Sequence, residues 1–397
     1  MNRYKMSIAA ALLLSTCGYA IDNVKVSGDA KVFYNTNDSG TSSLFDKDNS
    51  YADTALRLGA TGDLLKGVSF GVTGYAISTL GLENNLVSHV WEGTGEDQSV
   101  MGELWLAATL GKTTAKIGRM ELDTPLAFSE KWSILPNTFD AAVLINQDLP
   151  DTTLIGAWVG KSNGSATTND QYVVMAPTLE FTSFYQGAYA AGIVNNTFKP
   201  LIAQAWYYDV QHVANAYWLQ ADWDCQLIKD VKVGVQYADI DLKNSSADSS
   251  AYAVKVAYVG IENLKVSAAY SDADNDGAGG LNIANIATTN TTSQSKLYTE
   301  AWWNYGYVGA AGAESVNVSA EYDAGVAKFG AYYTDVSNDI ATSTHDVTEV
   351  TLTASKSFGP LDTTLAYVST DAADQNFDTA GNAQRYNSLQ AYLTLNF

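Results

Sequence analysis

Cysteine is almost absent from this 397-residue chain: only Cys17 and Cys225 occur. Cys17 lies in an N-terminal segment that reads as a removable leader, so the rest of the chain has no internal disulfide. Proline is scarce, at six, as expected where most backbone N–H groups must donate to strand ladders. No stretch beyond residue 20 reaches the ~18 consecutive apolar residues of a membrane helix, although 46% of the chain is hydrophobic. Arginine is rare: beyond residue 20 only Arg57, Arg119 and Arg385 remain. No basic patch exists to meet phosphates, which argues against a nucleic-acid partner. The histidines are His89, His212 and His345, and no HExxH, nucleophile elbow or phosphate loop accompanies them. No local pattern marks an enzyme, although a barrel hydrolase could assemble a serine–histidine pair across strands.

What is present begins at the N-terminus. Met1 to Ala20 carries Arg3 and Lys5, then the apolar run Ile8 to Leu14, then small residues ending Gly18-Tyr19-Ala20. This pattern predicts a signal peptide over 1–20, cleaved after Ala20. Leu14-Ser15-Thr16-Cys17 approaches a lipoprotein box, with threonine where a smaller residue or serine is usual. An exported chain without a membrane helix is periplasmic, secreted or an outer-membrane barrel. The formal charge is -21. That charge fits hydrated loops, and it fits a channel whose field favours cations.

The C-terminus chooses the barrel. In Asn387 to Phe397, Leu389, Ala391, Leu393, Leu395 and Phe397 share one face of an extended strand. Ser388, Gln390, Tyr392, Thr394 and Asn396 share the other. A period of two marks a strand with different solvents on its faces. Closure of a barrel removes the open edge that such a terminus would otherwise expose. Similar two-faced strands recur from residue 24 onward, as in Val231 to Tyr237, where three valines and a tyrosine oppose Lys232, Gly234 and Gln236.

The expected strands are 24–34, 53–62, 67–77, 99–110, 113–119, 140–146, 152–160, 184–193, 201–209, 214–225, 230–240, 250–259, 264–272, 316–323, 326–334, 347–357, 362–369 and 386–397. Tight links such as Gly111-Lys112 and Phe358-Gly359-Pro360-Leu361 alternate with long polar ones such as 78–98, 120–139 and 273–315. The fold class is therefore an all-β transmembrane antiparallel β-barrel of about 18 strands, with short periplasmic turns and long extracellular loops. One barrel domain is expected over 21–397. Leu297 to Tyr307 falls in a long external loop on this plan.

Ala115 to Lys161 resembles the third-loop region of the Opr-type outer-membrane porins, which include the major outer-membrane proteins of campylobacter-type bacteria. Gly118-Arg119, Thr124-Pro125, Leu135-Pro136-Asn137-Thr138-Phe139-Asp140 and Asp151-Thr152-Thr153-Leu154 carry the resemblance, with Asp22 to Gly28 and terminal Phe397. It implies an 18-stranded barrel whose third loop, 120–139, folds inward and narrows a diffusion channel for small hydrophilic solutes and ions. It also implies a homotrimer in outer-membrane lipid. Substrate-selective members line the pore with arginines, and three arginines are too few for that ladder.

The expected constriction comprises Arg119, Glu121, Asp123, Glu130 and Asp140, with carboxylates facing a guanidinium across water. An ordinary hydrated loop with Arg119 in a local ion pair is the plain alternative. Strict alternation puts Arg119 on the face of Ile117, so a bulge or the strand's end must turn it inward. The expected pore wall includes Arg57, Glu103, Lys255, Lys265 and Glu321, because charges facing lipid cost a few kcal/mol. Glu349, Asp29 and Asp222 share that orientation; all of these could instead pair structurally. Trp206, Tyr207, Tyr208, Trp218, Trp223, Tyr332 and Tyr333 are candidates for an aromatic girdle. Asp272, Asp274 and Asp276 open like a calcium loop, but the closing glutamate is replaced by Ile283. An acidic turn at the start of a long external loop is the favoured reading, and a weakly bound Ca²⁺ is the sharper one. Together these features predict a cation-preferring porin; the rival is an adhesive or structural surface barrel with little conductance.

Overall fold

The structure, a computed structural model, describes residues 21–78, 80–82, 87, 89–90, 98–132, 134–164, 181–243, 248–275, 281–288, 293–338, 346–372 and 384–397. The expected leader, residues 1–20, falls outside them. Nineteen strands form one sheet. In chain order they are β1 (Asp22–Asn37), β2 (Ser50–Leu65), β3 (Val68–Ile77), β4 (His89–Val90), β5 (Gln98–Leu110) and β6 (Thr113–Met120). Next come β7 (Phe139–Asn146), β8 (Thr152–Ser162), β9 (Thr182–Asn195), β10 (Leu201–Val210), β11 (Ala214–Asp224), β12 (Val231–Leu242) and β13 (Asp248–Ile261). The last are β14 (Leu264–Asn275), β15 (Ala313–Asp323), β16 (Lys328–Asn338), β17 (Val347–Phe358), β18 (Leu361–Ala372) and β19 (Tyr386–Asn396).

Eighteen long antiparallel strands make the wall. The two-residue β4 adds a parallel pairing at Tyr51 and Ala52 of β2. Each expected strand finds its counterpart, most of them a few residues longer. Closure is direct: β1 pairs with β19 from Asp29↔Asn396 to Asn37↔Ser388. Beyond that ladder, Gly28 N–H donates to the Phe397 carbonyl at 2.8 Å and Phe397 N–H returns to Gly28 at 3.0 Å. A Cβ on Gly28 would lie 2.5 Å from the Phe397 ring, so the seam needs glycine there.

Alternation sorts side chains between lipid and lumen. On β12, Val235 and Tyr237 are exposed outward, while Gln236, Ala238 and Ile240 are buried inward. Leu56, Leu58, Leu104, Leu106, Ile117, Leu144, Val254, Val256, Val316, Val318, Leu352 and Leu365 continue the outer apolar band. Tyr189, Tyr207, Tyr217, Tyr237, Tyr252, Tyr333 and Tyr367 are exposed with it. Tyr237 donates its hydroxyl to Asp239, Tyr252 to Asp272 and Tyr367 to Asn387. The expected girdle needs correction here. Neighbours on a strand face opposite ways, so Trp206, Tyr208 and Trp218 are buried inside rather than ringed against lipid.

The lumen is not empty. The third loop (121–138), between β6 and β7, folds inward. So do the described parts of the seventh loop, 281–288 and 293–312, between β14 and β15, where an external loop was expected. Leu126 from the third loop packs in one cluster with Ile283, Leu297, Ala301 and Val308 from the seventh and Trp206, Tyr208, Trp218 and Ile240 from the wall. A second cluster joins Ile134 and Leu135 to Phe33, Tyr75 and Val87, with Trp132 and Trp303 against it. Trp132 and Trp303 meet edge-on at 6.0 Å. Burying each such aliphatic or aromatic side chain contributes about 1.5–3 kcal/mol. A hydrated external position would forfeit that sum, and so the loop lies inside.

Candidate functional site

The third and seventh loops meet inside the barrel. The third loop closes on itself: Ser129 N–H donates to the Leu122 carbonyl at 2.8 Å, and Asn137 accepts Glu130 N–H at 2.7 Å. The seventh loop then docks. Ile286 N–H donates to the Leu126 carbonyl at 2.9 Å. Asn285 brackets Phe128, accepting its N–H at 3.3 Å and donating to its carbonyl at 2.8 Å. Glu130 accepts Asn285 Nδ2 at 3.0 Å, Thr288 Oγ1 at 3.1 Å and Gln294 N–H at 3.2 Å. It is buried and acts as a brace between loops rather than as a charge facing solutes.

The wall holds the seventh loop from behind. Glu349 of β17, 1% exposed, accepts the N–H groups of Trp302 at 2.9 Å, Trp303 at 3.1 Å and Asn304 at 2.8 Å. Tyr298 donates its hydroxyl to Asp222 at 2.6 Å and its N–H to Gln236 at 3.0 Å. Its ring rests over Gly234, where any Cβ would come within 2.5 Å.

Two carboxylates of the third loop remain, and each meets a lysine. Glu121 pairs with Lys131 at 2.5 Å. Asp123 pairs with Lys296 of the seventh loop, although the Asp123 side chain is 88% exposed. The Lys296 ammonium also lies over the Phe128 ring, 4.7 Å from its centroid. Along the wall, Arg57 binds Asp29 at 2.5 Å, and Lys265 binds Glu321 at 3.0 Å. Glu321 also accepts the Tyr332 hydroxyl at 3.2 Å.

Two further lysines are held on rings. Lys116 lies over Trp105 at 4.1 Å, and that indole donates to Glu103 at 3.2 Å. Lys255 lies over Tyr298 at 4.1 Å. Around the lumen, charges of opposite sign therefore meet in local pairs.

Arg119 and Asp140 are absent from these lumen pairs. Register sets Arg119 opposite Leu104 and opposite Asp140. Leu104 is 58% exposed on the outer face, so its partner shares that face. Arg119 makes a two-pronged pair with Asp140, at 2.8 and 3.2 Å, and donates to the Met101 carbonyl at 3.1 Å. Its guanidinium caps the Phe181 ring at 3.4 Å. No bulge turns it inward, and strict alternation holds.

Two of the three candidate calcium ligands lie in a strand. Asp272 and Asp274 belong to the extended strand β14, where Asp272 pairs with Tyr252 and accepts its hydroxyl. Asp276 lies outside the described residues, and no acidic or histidine cluster suited to a metal occurs among those described.

Sequence reasoning missed Lys116, Lys131 and Lys296, and with them the basic side of the lumen. One signal was available: Leu297 to Val308 holds two tryptophans and three tyrosines, too apolar a stretch to stay hydrated.

Comparison with known proteins settles the class. A family model for Gram-negative porins matches residues 7–394. The chain belongs to that family. It is an outer-membrane channel protein of a Gram-negative bacterium, and the fold is that of channels rather than enzymes. Among solved structures, Pseudomonas aeruginosa OpdK with vanillate superposes with a TM-score of 0.74 at 14% identity, covering 96% of this porin and 100% of that chain. Pseudomonas aeruginosa OccK8 (OprE) gives 0.70 at 15%, covering 96% and 99%. Acinetobacter baumannii OccAB2 gives 0.68 at 16%, also covering 96% and 99%. No curated protein matches in sequence.

Proposed function

We propose that this porin is a passive diffusion channel of the Opr type, akin to the campylobacter-type major outer-membrane proteins, for small hydrophilic solutes and ions. Its filter lies between the third and seventh loops. Glu121 and Asp123 supply the negative side of the filter; Lys131 and Lys296 supply the positive side. The observation that carries this reading is the one-to-one meeting of third-loop carboxylates with lysines at a water-facing position. Because these charges are paired, the cation preference is mild and comes from the acidic balance of the chain as a whole, whose formal charge is -21. A homotrimer belongs to the same reading by likeness to the Opr-type family.

The solved OpdK structure carries vanillate, a carboxylate. A vanillate-like specificity is not part of this proposal. Arg57 is tied to Asp29, Arg119 faces outward and Arg385 pairs with Asp371, so no arginine row is left for a travelling anion.

A reversal-potential measurement in a salt gradient tests the filter. The double variant Glu121→Gln/Asp123→Asn should shift preference toward anions. Unchanged preference would remove the site and leave the fold intact. The packed lumen also favours a second reading, a surface barrel that conducts little. Planar-bilayer recording separates the two, because a sealed barrel gives no current steps.

A further inference from the structure

We propose that Glu130 and Glu300 are positioning residues that latch the seventh loop across the pore at acid pH and release it as pH rises. This rests on the channel reading above and adds a control that the reading does not contain.

The geometry is unusual for carboxylates. Glu130 of the third loop is buried, and its partners are neutral donors: Asn285, Thr288 and Gln294 on the seventh loop and Trp132 on its own loop. Glu300 of the seventh loop is half-buried. It accepts the Ser295 hydroxyl at 2.5 Å and the Ser295 N–H at 3.1 Å. Glu349 stands behind them on the wall, again with only neutral donors. The lysines nearest in sequence are engaged elsewhere, Lys131 on Glu121 and Lys296 on Asp123. Tyr305, also buried in the plug, faces both Glu130 and Glu300. Acids therefore gather around one loop, and among the described residues none of the three glutamates forms an ion pair with a lysine or arginine.

Burial raises the Glu130 carboxyl above its ordinary range, against the lowering pull of its hydrogen-bond donors. Burial raises Glu300 further, and the charges of Glu130 and Glu349 add to the shift. Released into water, both groups would return to the usual carboxylate range. The docked loop thus binds protons more tightly than an undocked one. For an acid whose pKa is raised on docking, the stabilisation is complete below the undocked value. It is lost as pH climbs through the raised value. Docking is favoured in acid and opening is favoured as the acids ionise and repel.

Single-channel recording across roughly pH 4 to 8, a range spanning ordinary and raised carboxylates, tests this on the full-length porin. The wild type should show conductance or open probability rising several-fold with pH. Glu130→Gln and Glu300→Gln, which keep the shape of the protonated acid, should hold the low acid level and flatten the profile. Heat-modifiable migration on gels confirms that each variant forms a barrel. A flat or inverted wild-type profile overturns the proposal whether or not the variants fold. So does a wild-type profile retained in both variants, or a flat profile at the high level. Loss of the Glu121/Asp123 filter effect with the pH profile intact would instead sink only the filter assignment.

Discussion

At the scale of single residues, the two loops divide into groups that face solute and groups that hold the frame. Lys131 and Lys296 belong to the first kind. A unit charge near a narrow water path is worth about 0.4–1 kcal/mol after screening, or about twofold to fivefold in a permeability ratio. Lys131→Met and Lys296→Met should each shift the reversal potential toward cations by that amount. Arg119 is of the second kind. Arg119→Ala should leave ion preference unchanged and lower barrel stability by about 1–3 kcal/mol, because Asp140 loses its partner on the outer face. Urea unfolding in detergent measures the stability; the salt-gradient recording measures the preference. The contrast follows from one register pairing, Leu104 opposite Arg119.

At the scale of elements, the third loop and β6 depend on a backbone device. Gly118 has φ +125, and a Cβ there would sit 2.2 Å from the Leu104 carbonyl oxygen. Gly118→Val should cost more than about 2 kcal/mol and loosen the third loop's entry, seen as a lower urea midpoint. The seventh loop is the other decisive element. Replacing 281–310 by a short glycine–serine link should leave the β circular dichroism intact and raise conductance severalfold, because the wall ladder does not depend on that loop. An unchanged conductance would mean that the loop does not obstruct the path. Here the sequence misled in a specific way. Polar and acidic residues at its start, from Asp272 onward, suggested a hydrated external loop, whereas the aromatic stretch Tyr298 to Tyr307 found apolar partners inside.

At the scale of the whole molecule, closure is the property on which the channel rests. The final ladder rung uses Phe397 and Gly28. Deleting Phe397 exposes an unpaired edge at the seam and should slow barrel assembly, read as a delayed appearance of the heat-modifiable band during refolding. The charge also divides by location. Glu121 and Asp123 of the third loop pair with lysines, while Asp239, Asp272 and Asp274 lie near the ends of β12 and β14 that lead into the long loops.

The sequence by itself determined the wall. Period-two alternation, alternating short and long links and a terminal two-faced strand are local patterns, and every wall strand could be read from them. For Arg119 the sequence held two opposed signals: alternation put it on the face of Ile117, while the expected constriction needed a bulge or the strand's end to turn it inward, and the unbroken register of β6 with β5 and β7 supplies no such turn. What only the tertiary structure decided is which loops enter the lumen and which charges meet there. Asp123 and Lys296 are far apart in the chain, and no local pattern pairs them. Their contact exists because two loops bury their apolar faces against each other and against the inner wall.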